Sequence, residues 1–467
     1  MGSEPEPAFV CSALALHRQR TRTTSAPDYI MRIHFKTLGC RLNEAETEAW
    51  RRDFLAKGHR DTDQIEEADL VVINSCAVTE EAVRKSRKLV RRAQRGNPQA
   101  KLVLSGCYAT LDSDAAAADL GIDLLVENRD KHRLAELVSE SLSVPAMPAA
   151  HIDDNRAPLL PAGRQRAFVK VQDGCRYRCT FCIVTVARGE ERSRPIGDII
   201  GEVNHLHAEG VREIVMTGVH LGGYGADSGS DIGRLIERVL AETDMPRIRM
   251  GSLEPWDIPE HFWTLFDNPR LMPHLHLPLQ SGCDRTLRRM ARRCKTAEFS
   301  ALVEHARQAV PRLNITTDII VGFPGESEAD WRESLDFIAA TGFGHIHIFS
   351  YSPRGGTKAA TLPEQLPRAV KRQRSEMLHA LAADMKRRVQ QRHLGERPSV
   401  LVEAAPLSTN QNRYAVSGYT PNFLRVGIAG LGPEQANQII QVELSRISPC
   451  GGFIEARPLP ADPENPR

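Results

Sequence analysis

No apolar run in the chain approaches the roughly 18 residues of a membrane-spanning helix, and no secretory apolar segment stands at its start. These absences exclude a membrane partner and set the expectation of a cytoplasmic protein. Excess charge is missing too: Lys and Arg number 61 against 59 Asp and Glu. Bulk charge therefore does not mark the chain as a binder of polyanions. Without an export signal, the ten cysteines point to metal or redox chemistry rather than to a disulfide framework.

The chain has 467 residues, 41% of them apolar, enough for about three domains with real cores. Residues 1–30 mix Pro, Ser, Thr, Arg and acidic residues without periodicity and read as a disordered leader, with Met31 a candidate start. Positive charge is clustered rather than abundant. "RKSRKLVRRAQR" (84–95) holds seven basic residues and "RTLRRMARRCK" (285–295) six, and a third stretch runs from "RAVKRQR" to "MKRRVQQR" (368–392). Any one of these reads best as a solvated helix face. Three in a near-neutral chain favour a polyanionic partner.

Residues 31–145 alternate strand and helix signals. The strands "RIHFKTLGC", "ADLVVINSC" and "KLVLSGC" end at Cys40, Cys76 and Cys107, as in a doubly wound parallel α/β domain. Ligands of such sheets collect at the carboxyl ends of the strands. After a Pro/Ala-rich linker (144–163), residues 160–393 give six further strand candidates, "AFVKVQDG", "EIVMTG", "RIRMGS", "HLHLPLQ", "NITTDIIVGFPG" and "GHIHIFSYS". Six βα units predict a partial (β/α) barrel with its functional residues at the carboxyl mouth. A long polar helix over 366–393 follows. Short β-like runs over 394–458 predict a small β-barrel at the end. That segment is not basic: from Gly395 to Arg467 there are six Arg against seven Asp plus Glu, which argues against nucleic-acid binding through bulk charge. Tyr414, Tyr419 and Phe423 are its candidate stacking surfaces, with core packing as the alternative.

A fourth ligand is what "QDGCRYRCTFC" (172–182) lacks. Cys175, Cys179 and Cys182 are one short of a structural zinc site and one short of a fully ligated [4Fe–4S] cluster. Three cysteines leave one iron open to a substrate group. Cys40, Cys76 and Cys107 form a second set of three. Cys283, Cys294 and Cys450 read as structural, and Cys11 falls in the leader.

From about Met31 to Arg457 the chain resembles the methylthiotransferases of the radical S-adenosylmethionine (SAM) superfamily. The resemblance rests on "LGCRLNEAE", "NSCAVTEEA", "SGCYA", "GCRYRCTFCIV", "ARGEERSRP", "HLPLQSG", "DIIVGFPGE" and "YSPRGGTKA", in family order, and on a terminal module similar to a TRAM domain. "CAVTEEA" and "TGVHLGGYG" resemble the branch that modifies N6-threonylcarbamoyladenosine in tRNA. Ser75 stands where the family usually has Thr, Thr185 where Pro is usual, and Cys294 where an aromatic is usual.

The resemblance implies two [4Fe–4S] clusters. One, on Cys175, Cys179 and Cys182, binds SAM for radical formation; the other, on Cys40, Cys76 and Cys107, holds sulfur. It implies methylthiolation at C2 of the modified adenine, with the anticodon stem-loop of tRNA, an electron donor such as flavodoxin or ferredoxin, and a sulfur source as partners. Gly218 lies where the superfamily contacts the SAM amino group, and Gln280 lies at the barrel mouth; both are candidate cofactor-binding residues, with turn roles as the alternative. The basic helix after Cys76 is the candidate grip on RNA phosphates. Two rivals are a branch acting on a ribosomal-protein aspartate, favoured by the acidic end but not by the basic clusters, and a non-enzymatic iron–sulfur or RNA-binding protein, which would not need the barrel.

Overall fold

The computed structural model describes residues 30–113, 120–142, 165–408 and 413–460. The leader short of Ile30, Cys11 and the 144–163 linker lie outside the described residues. The first sheet contains β1 (Arg32–Thr37), β2 (Arg60–Asp61), β3 (Leu70–Ser75), β4 (Lys101–Gly106) and β5 (Leu124–Val126), in the spatial order β2-β1-β3-β4-β5. All its pairings are parallel. β3 is buried at every residue, as expected of a central strand covered on both faces. Register fixes where the cysteines fall. Thr37 pairs with Asn74 and Ser75 with Gly106, so Cys40, Cys76 and Cys107 all emerge at one edge.

The helix Glu80–Gly96 is capped by the Thr79 side chain, which accepts from the Ala82 N–H. Its buried stripe is Val83, Ser86, Val90 and Ala93. That helical spacing turns Arg84, Lys85, Arg87, Lys88, Arg91, Arg92 and Arg95 outward, and all seven are exposed.

The second region is an open six-stranded barrel. β6 (Arg166–Lys170) leads into a short hairpin of β7 (Gln172–Asp173) and β8 (Arg192–Ser193). β9 (Glu213–Thr217) and β10 (Arg247–Met250) complete one parallel trio in the order β10-β9-β6. β11 (His274–His276), β12 (Asn314–Val321) and β13 (His345–Ser350) form the other. Bridges from Ile248 to Leu271 and from Ser252 to His276 join the trios. The apolar faces of both trios pack on their helices in one large core. The inner face encloses a hollow. The first helix of the N-terminal domain, Arg41–Ala56, fills its β6/β9 side, where Ala45 packs on Phe168 and Val215.

The long helix Arg368–Arg392 leads to a closed barrel of β14 (Ser399–Glu403), β17 (Val416–Tyr419), β18 (Arg425–Ile428), β20 (Ile454–Pro458) and β19 (Ile439–Ile447); β15 (Leu407–Ser408) and β16 (Arg413–Tyr414) form a side hairpin. This barrel stoppers the lower end of the six-stranded one. Arg247 donates to the Tyr419 and Ser399 carbonyls at 3.0 and 2.9 Å, and Arg249 donates to the Pro421 carbonyl at 3.0 Å. The candidate stacking residues are spent here. Phe423 lies against His274, Tyr419 and Arg249 at 4.6, 4.5 and 4.6 Å, and Tyr414 is buried against Phe453. Inward packing thus wins over stacking with RNA at all three positions.

The stopper is anchored on Glu213, which is fully buried among Arg166, Arg247 and Arg249. Burial alone would raise its pKa, but Arg249, Arg166 and Arg247 bring it from 4.5 down to about 2. Glu213 therefore contributes stability that is present above pH 4.5 and lost as pH falls towards 2. Glu213→Gln removes the buried counter-charge and is expected to cost about 3–5 kcal/mol, measured as a lowered denaturation midpoint. A change within about 0.5 kcal/mol would contradict this anchoring.

Candidate active site

Cys40 caps the start of helix Arg41–Ala56, Cys76 directly follows β3 and Cys107 directly follows β4. Gly39 permits the convergence: its φ is +108°, and a Cβ there would stand 2.8 Å from the Cys76 Cβ. Ser86 Oγ fixes the Cys76 backbone, accepting from its N–H at 3.2 Å and donating to its carbonyl at 3.0 Å. Ser75, the departure from the family's Thr, ties β3 to β4 by donating to the Ser105 carbonyl and accepting from the Ala109 N–H. The Asn128 amide donates to Cys107 Sγ at 3.7 Å and to the Ala187 carbonyl at 2.7 Å. One side chain thereby links the first cysteine set to the loop that carries the second.

In that loop, the Cys175 N–H bonds the Gly189 carbonyl at 3.1 Å and the Cys182 N–H bonds the Cys179 carbonyl at 3.0 Å. Thr180 pins it to the barrel: its N–H bonds the Met290 carbonyl, its hydroxyl the Arg289 carbonyl, and its own carbonyl accepts from Ala359. Thr185, where the family has Pro, supplies a bond of its own, from its hydroxyl to the Tyr177 carbonyl at 2.9 Å.

The thiol environment fits a metal cluster. Burial, followed by Glu254 and the neighbouring thiolates, pushes Cys175 to about 12; burial, followed by neighbouring thiolates, pushes Cys182 and Cys76 each to about 11. Such thiols stay protonated at neutral pH unless a cation draws the charge out of them. No fourth cysteine joins either set among the described residues. Cys283 faces Asp330 at 3.5 Å, Cys294 faces the Lys295 carbonyl and Cys450 lies beside Ser448.

Gln172, buried behind the cysteine loop, joins it to the next strand end. Its amide donates to the Asp173 and Gly174 carbonyls, and its Oε1 accepts from the Val219 and His220 N–H groups at 3.0 and 2.9 Å. Gly218 makes this crossing possible, because a Cβ there would come within 3.0 Å of Gln172 Oε1. Gln280 is buried with φ +78°, and its backbone bridges Asp318 and Ile320 at the mouth. A non-glycine residue held there is a strained position of the kind that clusters at functional sites.

Sequence reasoning missed the charged ring around this mouth. His220 lies between Glu191 and Asp257, 2.7 Å from the latter, and the Tyr177 hydroxyl donates to Asp257 at 3.1 Å. Burial would lower the His220 pKa, but Asp257, Glu254 and Glu191 raise it. Burial raises Glu254 despite His220 and Arg292. Arg292 stacks on Trp256 at 4.4 Å and Arg293 on Tyr177 at 4.7 Å. The basic 285–295 run is thus partly built into the mouth. Its spacing carried no sign of this.

Between the two cysteine sets lies a buried ionic network. Glu46 Oε1 meets Arg188 and Lys170 at 3.0 and 2.9 Å, and its Oε2 meets Lys131. Asp173 meets Arg188 at 3.0 Å and Lys170 at 2.6 Å. Arg188 also donates to Asn43 at 2.7 Å. Burial would raise Glu46, but Arg188, Lys131 and Lys170 hold it well below the carboxylate range. Burial and the neighbouring cations bring Lys131 down to about 8, against the pull of Glu46. Arg188→Met strands two buried carboxylates and is expected to cost about 3–5 kcal/mol. Adding Glu46→Leu should then cost less than the sum of the single changes. Additive losses in chemical denaturation would show that the pair is not coupled.

A model of the uncharacterized protein family UPF0004 matches residues 32–127, and one of the Radical SAM superfamily matches residues 169–338. The chain is 33% identical over 422 residues to the threonylcarbamoyladenosine tRNA methylthiotransferase MtaB of Bacillus subtilis, covering 88% of this chain and 93% of the relative. The protein of that name from Chlamydia pneumoniae is 36% identical over 417 residues, covering 89% and 95%. A tRNA-2-methylthio-N(6)-dimethylallyladenosine synthase from Akkermansia muciniphila is 34% identical over 455 residues, covering 90% and 97%. Among solved structures, the radical SAM methyltransferase TsrM from Kitasatospora setae superposes with a TM-score of 0.52 at 15% identity, over 70% of this chain and 77% of that one, a likeness of fold alone. With relatives a third identical along nearly their whole length and both domain models in order, the chain belongs to the radical SAM methylthiotransferase family.

Proposed function

We propose that the chain transfers sulfur and a methyl group to C2 of N6-threonylcarbamoyladenosine next to the anticodon of tRNA. The observation that carries this reading is the convergence of two three-cysteine sets, from two domains, on either side of one buried network. The relatives named for threonylcarbamoyladenosine, matched over 93% and 95% of their lengths, support the substrate. In this reading one [4Fe–4S] cluster on Cys175, Cys179 and Cys182 supplies, with SAM, the carbon-activating radical, and a second on Cys40, Cys76 and Cys107 supplies the sulfur.

The chain's own residues then have distinct tasks. Gln172 holds the SAM-side loop against the strand end at Gly218. His220, Glu254 and Arg292 present both signs of charge at the mouth, suited to the amino and carboxylate groups of SAM, with Gly218 and Gln280 lining its place. Glu46, Asp173, Lys170 and Arg188 fill the space between the cysteine sets with paired charge. Electrons come from a small donor such as flavodoxin or ferredoxin, and a separate source restores the sulfur. The exposed cations of helix Glu80–Gly96 grip the anticodon stem-loop, since the barrel at the end of the chain spends its aromatic residues on packing.

Replacing Cys175, Cys179 and Cys182 by Ala should leave about half the iron and abolish SAM cleavage. Replacing Cys40, Cys76 and Cys107 should leave about the same iron and keep SAM cleavage, but stop the appearance of methylthiolated nucleoside in tRNA digests. A wild-type preparation that saturates at about four irons per chain contradicts the two-set reading. Binding to tRNA should weaken with salt, because phosphate contacts release counterions. Neutralising Arg84, Lys88, Arg91 and Arg95 together should flatten the log–log salt slope by about one unit per lost contact. An unchanged slope would return this helix to the role of a solvated face.

A further inference from the structure

One wall of the barrel's hollow carries polar side chains and a half-exposed ring rather than apolar core. Leu275, Ile315, Ile319, Ile346 and Ile348 face the helices in the main core. Strand alternation therefore turns His276, Asp318, His345, His347 and Phe349 into the hollow. The N-terminal domain's first helix packs on the opposite side, through Ala45 against Phe168 and Val215.

His276 is fully engaged, with Nε2 3.2 Å from Asp318 Oδ1 and Nδ1 2.9 Å from Thr316 Oγ1. The His347 ring lies 5.4 Å from that of His276 and 4.8 Å from that of His345. His347 is exposed, and among the described residues its ring nitrogens have no hydrogen-bond partner. Partial desolvation against the strands, reinforced by His276 and opposed by Asp318, lowers the His347 pKa, so the ring is neutral at pH 7 and offers one donor and one acceptor. Phe349 is 50% exposed on the same face. Across the hollow, Arg41 stacks over Phe168 at 5.0 Å and pairs through Nη1 with Glu44 at 3.0 Å; its side chain is 67% exposed, and its charge is felt at His347. Arg41 directly follows Cys40, so this space adjoins the first cysteine set.

We propose that this hollow seats the substrate base: Phe349 stacks on the adenine, while His347 and Arg41 bind a polar, carboxylate-bearing group on its N6. The proposal rests on the functional reading above and deepens it by naming what selects the substituent. His276, itself held by Asp318, is the positioning residue that holds His347 through ring contact. A neutral imidazole with no other partner would lose its hydrogen bonds against an apolar N6 group, so the same wall disfavours a dimethylallyl substituent. A flipped base read by stacking and by edge hydrogen bonds is the general solution for enzymes that act on a base.

The test uses full-length reconstituted protein and three stem-loop RNAs that differ only beside the anticodon: adenosine, N6-threonylcarbamoyladenosine or N6-dimethylallyladenosine. Dissociation constants are read by anisotropy, with iron content and thermal midpoint as folding controls. Wild type should bind the threonylcarbamoyl RNA at least about tenfold more tightly than the other two. His347→Leu should bring that ratio close to one, and His347→Gln, which keeps a donor and an acceptor, should preserve most of it. Phe349→Ala should weaken all three RNAs about tenfold without changing the ratio. If wild type shows the preference and His347→Leu retains it, the pocket assignment falls and the functional reading stands. If wild type shows no preference or favours the dimethylallyl RNA, the functional reading falls and the pocket falls with it.

Discussion

Glu46 is the point on which the two catalytic halves turn. It rises from the N-terminal domain's first helix, three residues after Asn43 and six after Cys40, and meets Lys170 and Arg188 of the barrel and Lys131 of its own domain. A carboxylate in so buried a place is tolerable only with its partners in position, so it specifies how the domains dock rather than merely adding attraction. Lys131, Lys170 and Arg188 oppose Glu46 and Asp173, three cations to two anions. The surplus positive charge sits between the two sets of cysteines. Arg188 is within electrostatic reach of Cys40, Cys76 and Cys107, with the sign that favours thiolate in that set.

The lower end of the barrel repeats the device with the signs regrouped. Glu213 gathers Arg166, Arg247 and Arg249, and the guanidinium groups extend to the carbonyls and rings of the terminal barrel. One buried carboxylate ties the N-terminal domain to the mouth, and the other ties the stopper to the floor. What remains open is the upper end, ringed by His220, Glu254, Arg292 and Gln280, and the free wall of β11, β12 and β13. The terminal barrel covers the lower end, away from both cysteine sets.

Local features of the sequence were enough for the strands that lead to Cys40, Cys76 and Cys107, the first ending at Thr37 rather than at Cys40, and for the six strands of the barrel, because each is a short apolar run with turn residues at its end. The short edge strands Arg60–Asp61 and Leu124–Val126 escaped, being too brief to show periodicity. The grouping of the cysteines was legible from spacing in one set and from equivalent strand ends in the other. The Glu46–Arg188 contact was not, since its partners lie 142 positions apart and each looks like an ordinary charged residue in its own segment. Tyr419 and Phe423 show the converse. Their sequence context fits stacking on RNA as well as it fits packing, and only the position of Arg249 and His274 beneath them decides it.

The central claim is that the two cysteine sets hold separate clusters close enough, across one buried network, to work on the same base. Low-temperature electron paramagnetic resonance of the fully reduced, reconstituted protein tests it most directly. The account predicts two paramagnets whose combined spectrum is broadened by mutual coupling and is not the sum of the spectra of the two single-set variants. A wild-type spectrum equal to that sum would place the clusters too far apart for the network to join them, and would contradict the account.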